Sequence, residues 1–147
     1  MSSFRTDLLA FMRRERYAVE ATITADGHPQ AALVGIAVSD RFEIIFDTLV
    51  TTRKAANLRS NPRMAFVIGP TANNASCTVQ YEGIAEELTG PELDELLPLY
   101  FKVFPDGSSR RNWPGLVYMR VKPLWIRYSN YAFDPPEIVE FRPEDLV

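Results

Sequence analysis

The chain has 147 residues, 46% of them hydrophobic and 24% charged, with a formal net charge of −3. That length suits a single domain, residues 1–147, with a real core, and the charge balance excludes a general nucleic-acid binder, which carries a basic excess. One cysteine (Cys77) and one histidine (His28) exclude an internal disulfide, a cysteine-based metal cluster and a multi-histidine metal site. No run is long enough to span a membrane. The N-terminal stretch, a short apolar patch flanked by charge, lacks the layout of a signal peptide. The expectation is a cytoplasmic protein that engages neither membrane nor nucleic acid.

Leu8, Leu9, Phe11 and Met12 recur at helical spacing, with Thr6 as N-cap, and predict an opening amphipathic helix. Residues 17–24 alternate as a strand, and Asp26-Gly27 makes a hairpin turn. Residues 30–38 are nearly all apolar and read as a strand covered on both faces; residues 42–48 return as a third. A helix over 55–59 ends at Asn61-Pro62, and residues 63–69 form the fourth strand. A loop over 70–74 leads to the fifth strand, 76–88, where Gly83 marks a bulge or barrel corner. Gly90-Pro91 opens a second long helix to about Lys102, with Pro98 as a possible kink. A loop over 105–115 precedes a sixth strand, 116–128, broken near Pro123, and residues 138–141 form a short last strand or tail. Six strands without regular crossover helices predict a small antiparallel barrel, mainly β with short flanking helices.

The segment Phe46-Asp47-Thr48 through Ile68 carries the chemistry. A strand end feeds Thr51-Thr52-Arg53-Lys54, and a helix starts at once. Backbone N–H groups at a helix start, two hydroxyls and two cations suit a phosphate. Arg59 and Arg63 extend the basic cluster, while Glu82, Glu86, Glu87, Glu92, Asp94 and Glu95 make a later acidic stretch. A local basic patch on an acidic chain suits a small anion better than a polyanion. The plainer reading is a helix start with solvated cations, although an unliganded Arg-Lys pair there opposes the helix dipole. Thr78 and Gln80 share one strand face and read either as ligand contacts or as ordinary strand residues.

The ordered set Phe46, Thr48, Thr52-Arg53-Lys54, Asn57-Leu58, Asn61-Pro62-Arg63 resembles the FMN-binding split barrel of the pyridoxamine 5'-phosphate oxidase-like superfamily. Val79-Gln80-Tyr81-Glu82-Gly83 and Met119-Arg120-Val121-Lys122-Pro123 add two further matches. The resemblance implies a six-stranded antiparallel split β-barrel of Greek-key type and a homodimer binding FMN at the subunit interface. It places Thr52, Arg53 and Lys54 on the phosphate, with Asp47 and Thr48 beside it or the ribityl chain. Ala32, Leu33 and Val34 would run along the isoalloxazine edge, lending backbone groups. Thr78 and Gln80 would touch the cofactor, often from the other subunit.

The departures point away from the oxidase proper. Its strand cations have no counterpart in residues 30–38, Thr78 stands where it has Gln, and its C-terminal substrate motif is missing. The small stress-protein-like and flavin-reductase-like members are the nearer resemblance. The function expected is therefore a flavin-dependent oxidoreductase acting on a small-molecule substrate with a donor such as NAD(P)H, with no catalytic side chain named. Two alternatives stand beside it: a deazaflavin-dependent reductase, and a non-catalytic flavin- or haem-binding stress protein. His28 is the one possible histidine ligand for haem, and a hairpin turn is a poor place for it.

Overall fold

The computed structural model describes residues 2–70 and 76–147; the remainder of the loop expected over 70–74 lies outside the described residues. In chain order the elements are α1 (Ser2–Arg14), β1 (Tyr17–Ile23), β2 (Pro29–Gly35), β3 (Ala37–Val38), β4 (Ile44–Leu49), α2 (Arg53–Ser60), β5 (Arg63–Ile68) and β6 (Cys77–Glu87). Then come α3 (Gly90–Val103), a 3₁₀ segment (Pro105–Arg110), β7 (Leu116–Asn130), β8 (Glu137–Phe141) and a last 3₁₀ turn (Pro143–Asp145).

Every strand pairing is antiparallel, and the sheet order is β2-β1-β5-β6-β7-β4-β3, with β8 beside β7. Strands β5, β6 and β7 form a meander, and β4 lies beside β7, which is a Greek-key connection. The two ends of the order, β2 and β3, are one length of chain interrupted at Ile36. The Ile36 N–H donates to the Arg16 carbonyl at 2.9 Å, and the next residues pair with β4. The sheet therefore curls back on itself as a split barrel. Its strands number eight instead of six because residues 30–38 divide at Ile36 and the tail forms β8.

Alternation along β1 sets the two faces. Ala18, Glu20 and Thr22 point inward and are buried, whereas Tyr17, Val19 and Ile23 face out and are exposed. Helix α1 sends Leu8, Phe11 and Met12 into the core with Phe46, Phe66, Tyr81 and Phe141. Its apolar stripe begins at Phe4, so the helix starts a turn early and Thr6 lies inside it instead of capping it. A second cluster joins Leu97, Tyr100 and Phe104 of the α3 end to Ala37, Ile45 and Tyr118 on the other face of the sheet.

Three expectations change for local reasons. Strand β4 starts at Ile44 because Phe42 takes a left-handed φ of 63°, which strand pairing does not accept. Strand β7 runs unbroken through Pro123 because the register shifts there: Glu82 pairs with Trp125 and Gly83 with Pro123, so Leu124 is an extra residue in β7 and the ladder is interrupted beside the proline. Strand β2 is not covered on both faces: Ala31, Ala32 and Leu33 are exposed in the single chain, since β2 ends the sheet order.

Gly83 and Tyr81 hold the bulge. A Cβ on Gly83 would stand 2.5 Å from the Lys122 carbonyl oxygen and 2.7 Å from Val121 Cγ1. The buried Tyr81 hydroxyl reaches the carbonyls of Phe42 at 2.8 Å and Val121 at 3.0 Å. Gly83→Ala is expected to destabilise the protein by about 1–3 kcal/mol through overpacking, read as a lower denaturant midpoint at unchanged m.

Candidate functional site

The turn after β4 is built by its hydroxyls. Thr52 caps α2: its Oγ1 donates to the Leu49 carbonyl at 3.0 Å and accepts from the Ala55 N–H at 3.2 Å. With its proton so placed, it also accepts from the Thr48 hydroxyl at 2.8 Å. Thr48 is buried. This pair rigidifies the strand-to-helix corner, and the capping leaves the Thr52 hydroxyl already engaged.

Asn57 fastens the helix to the barrel. Its buried side-chain amide donates to Thr22 Oγ1 at 3.0 Å and to Gln30 Oε1 at 2.9 Å, so one residue of α2 grips both β1 and β2. The start of α2 is thereby held against the free edge of β2. A cavity of about 300 Å³ opens there, lined by Arg53 and Lys54 of α2, Gln30, Ala31 and Ala32 of β2, and Glu20 and Thr22 of β1. On a terminal strand, alternate backbone N–H and C=O groups point away from the sheet and are open to a ligand.

Glu20 is the residue that sequence reasoning missed. Its carboxyl is 3% exposed and stands 3.9 Å from Lys54 Nζ, an ion pair without a hydrogen bond. Its other oxygen is buried with no hydrogen-bond partner. Burial pushes its pKa up and the Lys54 charge pulls it back in part. The signal was a charged residue at an inward position of the alternating strand 17–24, the place for an apolar side chain.

The structure brings Thr48, Thr52, Arg53, Lys54 and Ala32 to one corner. Val34 shares the inward face with Ala32 and packs on the core, while Leu33 points outward. Asp47 faces away from Thr48, as its neighbour on a strand must. It lies 3.6 Å from the Arg110 guanidinium, beside Tyr100 and Tyr118. Burial, and then the Asp47 charge, push both phenols' pKa values up. One Asp47 oxygen and the Tyr118 hydroxyl are buried there without hydrogen bonds. Arg110 thus turns inward toward Asp47 and Asp106. Thr78 and Gln80 lie on the outer sheet face, opposite Ser129 and Arg127. Arg59 donates to the Val50 carbonyl at 3.3 Å, and Arg63 is exposed. His28 is exposed in its turn, where its N–H donates to Thr24 Oγ1. Among the described residues no group of three metal-ligating side chains occurs, and no helix is long and apolar enough to cross a membrane.

The family model described as pyridoxamine 5'-phosphate oxidase matches residues 4–130. A pyridoxine/pyridoxamine 5'-phosphate oxidase of Bordetella avium is 34% identical over 93 residues, 63% of this chain and 41% of that protein. The chain therefore spans about two-fifths of the length of the curated relatives it matches. Among solved structures, a heme binding protein from Mycobacterium smegmatis superposes with a TM-score of 0.84 at 18% identity, covering 97% of this chain and 59% of that one. A pyridoxamine 5'-phosphate oxidase-related, FMN binding protein from Nostoc punctiforme superposes with a TM-score of 0.70 at 12% identity, covering 97% of each. At these identities the structural likeness is one of fold.

The buried Glu20 makes stability depend on pH with a definite sign. A carboxyl whose folded pKa is raised contributes fully below the unfolded value of about 4.3 and loses that contribution as pH rises through the folded pKa. Replacing Glu20 by Gln is expected to leave Tm near wild type at pH 4 and to raise it relative to wild type at pH 8. Thermal unfolding of both proteins across that range checks it; a Tm difference that shrinks with pH rules it out.

Proposed function

The chain belongs to the pyridoxamine 5'-phosphate oxidase family, and from that premise we propose that it is an FMN-dependent oxidoreductase whose flavin phosphate sits between Arg53 and Lys54 at the start of α2. The observation that carries the reading is the cavity at that corner, which puts two cations and the unpaired edge of β2 around one space. Its size of about 300 Å³ lies at the lower end of small-molecule sites, which run to roughly 1,000 Å³. It suits the phosphate and ribityl portion, with the ring continuing along β2. The backbone of Ala32, Leu33 and Val34 would then hydrogen-bond the ring edge. Thr52 acts by rigid support, since its hydroxyl is committed to the cap and to Thr48. Bound flavin would supply hydride transfer. The protein's part is to anchor the phosphate, orient the ring and exclude water.

A homodimer completes this proposal. Leu33, Val19 and Val67 are mutually paired in register across β2, β1 and β5, and each is 44–68% exposed. Gln80 follows Val67 in the same row. Such a contiguous apolar row on a sheet face suits an interface. A second copy seated on it would bring Thr78 and Gln80 to the flavin of the opposite subunit. The substrate would be a small molecule reduced or oxidised at the ring, with NAD(P)H as donor. The deazaflavin reading needs an extended basic groove. Arg59 is tied to the Val50 carbonyl and does not line the cavity at Arg53, so FMN is the better fit.

Two outcomes test the proposal. Arg53→Ala with Lys54→Ala is expected to weaken FMN affinity at least tenfold in a fluorescence titration while leaving the fold intact by circular dichroism. FMN affinity equal to wild type places the phosphate elsewhere. Val67→Glu is expected to shift the protein from dimer to monomer in sedimentation analysis and to lower FMN affinity with it. A dimer that persists moves the interface to another face.

A further inference from the structure

A phosphate cradle with a carboxylate inside it is a contradiction in charge, and Glu20 creates one. Its side chain lies on the inner face of β1 and lines the same cavity as Arg53 and Lys54. It is 3% exposed; one oxygen faces Lys54 Nζ at 3.9 Å, and the other has no hydrogen-bond partner. The charged groups that face it are Lys54 and Arg53 of α2. Its neighbours across the sheet, Ala32 of β2 and Phe66 of β5, do not titrate. Thr22 and Gln30, the remaining polar groups of the cavity, are occupied by the Asn57 amide. An ionised carboxylate so placed accepts no hydrogen bond, which is costly in a buried setting.

We propose that Glu20 is a proton-coupled gate on the anion cradle: a phosphate monoester binds between Arg53 and Lys54 together with one proton, and that proton resides on the Glu20 carboxyl. This rests on the phosphate site argued above and deepens it. With Glu20 ionised, the cradle carries one net positive charge. With Glu20 protonated it carries two, which matches a phosphate dianion. The carboxyl O–H forms with a proton from solvent, and the phosphate's own second ionisation near pH 6 contributes equally in wild type and Glu20→Gln. Protonation removes the buried negative charge that would repel the phosphate. Affinity for a phosphate monoester therefore falls as pH rises through the Glu20 titration, and the site discriminates FMN from riboflavin more sharply in acid than in base. Burial, which raises the Glu20 pKa, brings that titration closer to neutral pH.

The test is isothermal titration of FMN into the wild-type protein and Glu20→Gln at pH 6, 7 and 8, in two buffers of different ionisation enthalpy. The wild type is expected to take up more protons than the variant, by up to one per FMN bound. Its affinity is expected to fall by up to tenfold per pH unit beyond any fall seen in Glu20→Gln. The variant, isosteric and free of the buried charge, is expected to bind FMN at least as tightly as wild type at pH 8. Riboflavin, which lacks the phosphate, is expected to show no difference between the two proteins. Equal proton uptake by both, or weaker FMN binding by Glu20→Gln with unchanged pH dependence, overturns the proposal and leaves the flavin site standing. If the wild type binds no FMN, the flavin reading fails, and inorganic phosphate becomes the probe. Glu20-dependent proton uptake with phosphate keeps the gated anion site; no binding of phosphate overturns it as well.

Discussion

The structure depends on one constraint: a single length of chain serves as both ends of the curled sheet. Strand β2 pairs with β1, the chain crosses at Ile36, and β3 pairs with β4. Because side chains alternate strictly along a strand, this closure decides for every strand which residues meet the core and which meet solvent. It sends Ala18, Glu20 and Thr22 inward, and Val19 and Ala21 outward. It also leaves one edge of β2 without a strand beside it. The candidate site, the buried carboxyl and the exposed apolar row all descend from that closure.

A second layer of order comes from polar groups whose bonds are local. Thr48 and Thr52 lock the corner after β4, and Asn57 binds α2 to β1 and β2 at once. Buried polar groups of this kind hold elements in one arrangement because the cost of leaving them unpaired is high. The cations of Arg53 and Lys54 are thereby presented on a rigid base beside the edge of β2. Positive charge and helix N–H groups held this way would need little reorganisation to receive the phosphate proposed above.

The other polar cluster, where Asp47 meets Arg110, Tyr100 and Tyr118, sits on the far face of β4 beneath α3. Sequence adjacency placed Asp47 with Thr48. The pleat of the strand separates them, since neighbours on a strand point to opposite faces. The same rule sets Leu33 apart from Ala32 and Val34. A motif read as a contiguous string therefore divides, in the fold, between two sides of the sheet.

Much was legible in the chain itself. Apolar spacing and turn chemistry at Asp26-Gly27, Asn61-Pro62 and Gly90-Pro91 located the hairpin, the end of α2 and the start of α3, because these signals act over a few residues. The basic corner at the start of α2 was visible as hydroxyls and cations at a helix start, and Gly83 as the place where the β6–β7 register shifts. What tertiary structure alone decided has a common physical cause, namely contacts between residues far apart in sequence. The division of residues 30–38 at Ile36 follows from where β1 and β4 lie. The continuity of β7 through Pro123 follows from the register shift against β6 at Gly83, which leaves Leu124 unpaired beside the proline. The exposure of β2 follows from its place at the end of the sheet order. The entry of Glu20 into the cavity beside Arg53 and Lys54 follows from the grip of Asn57 on Thr22 and Gln30, 35 and 27 residues away, a pairing that no local pattern encodes.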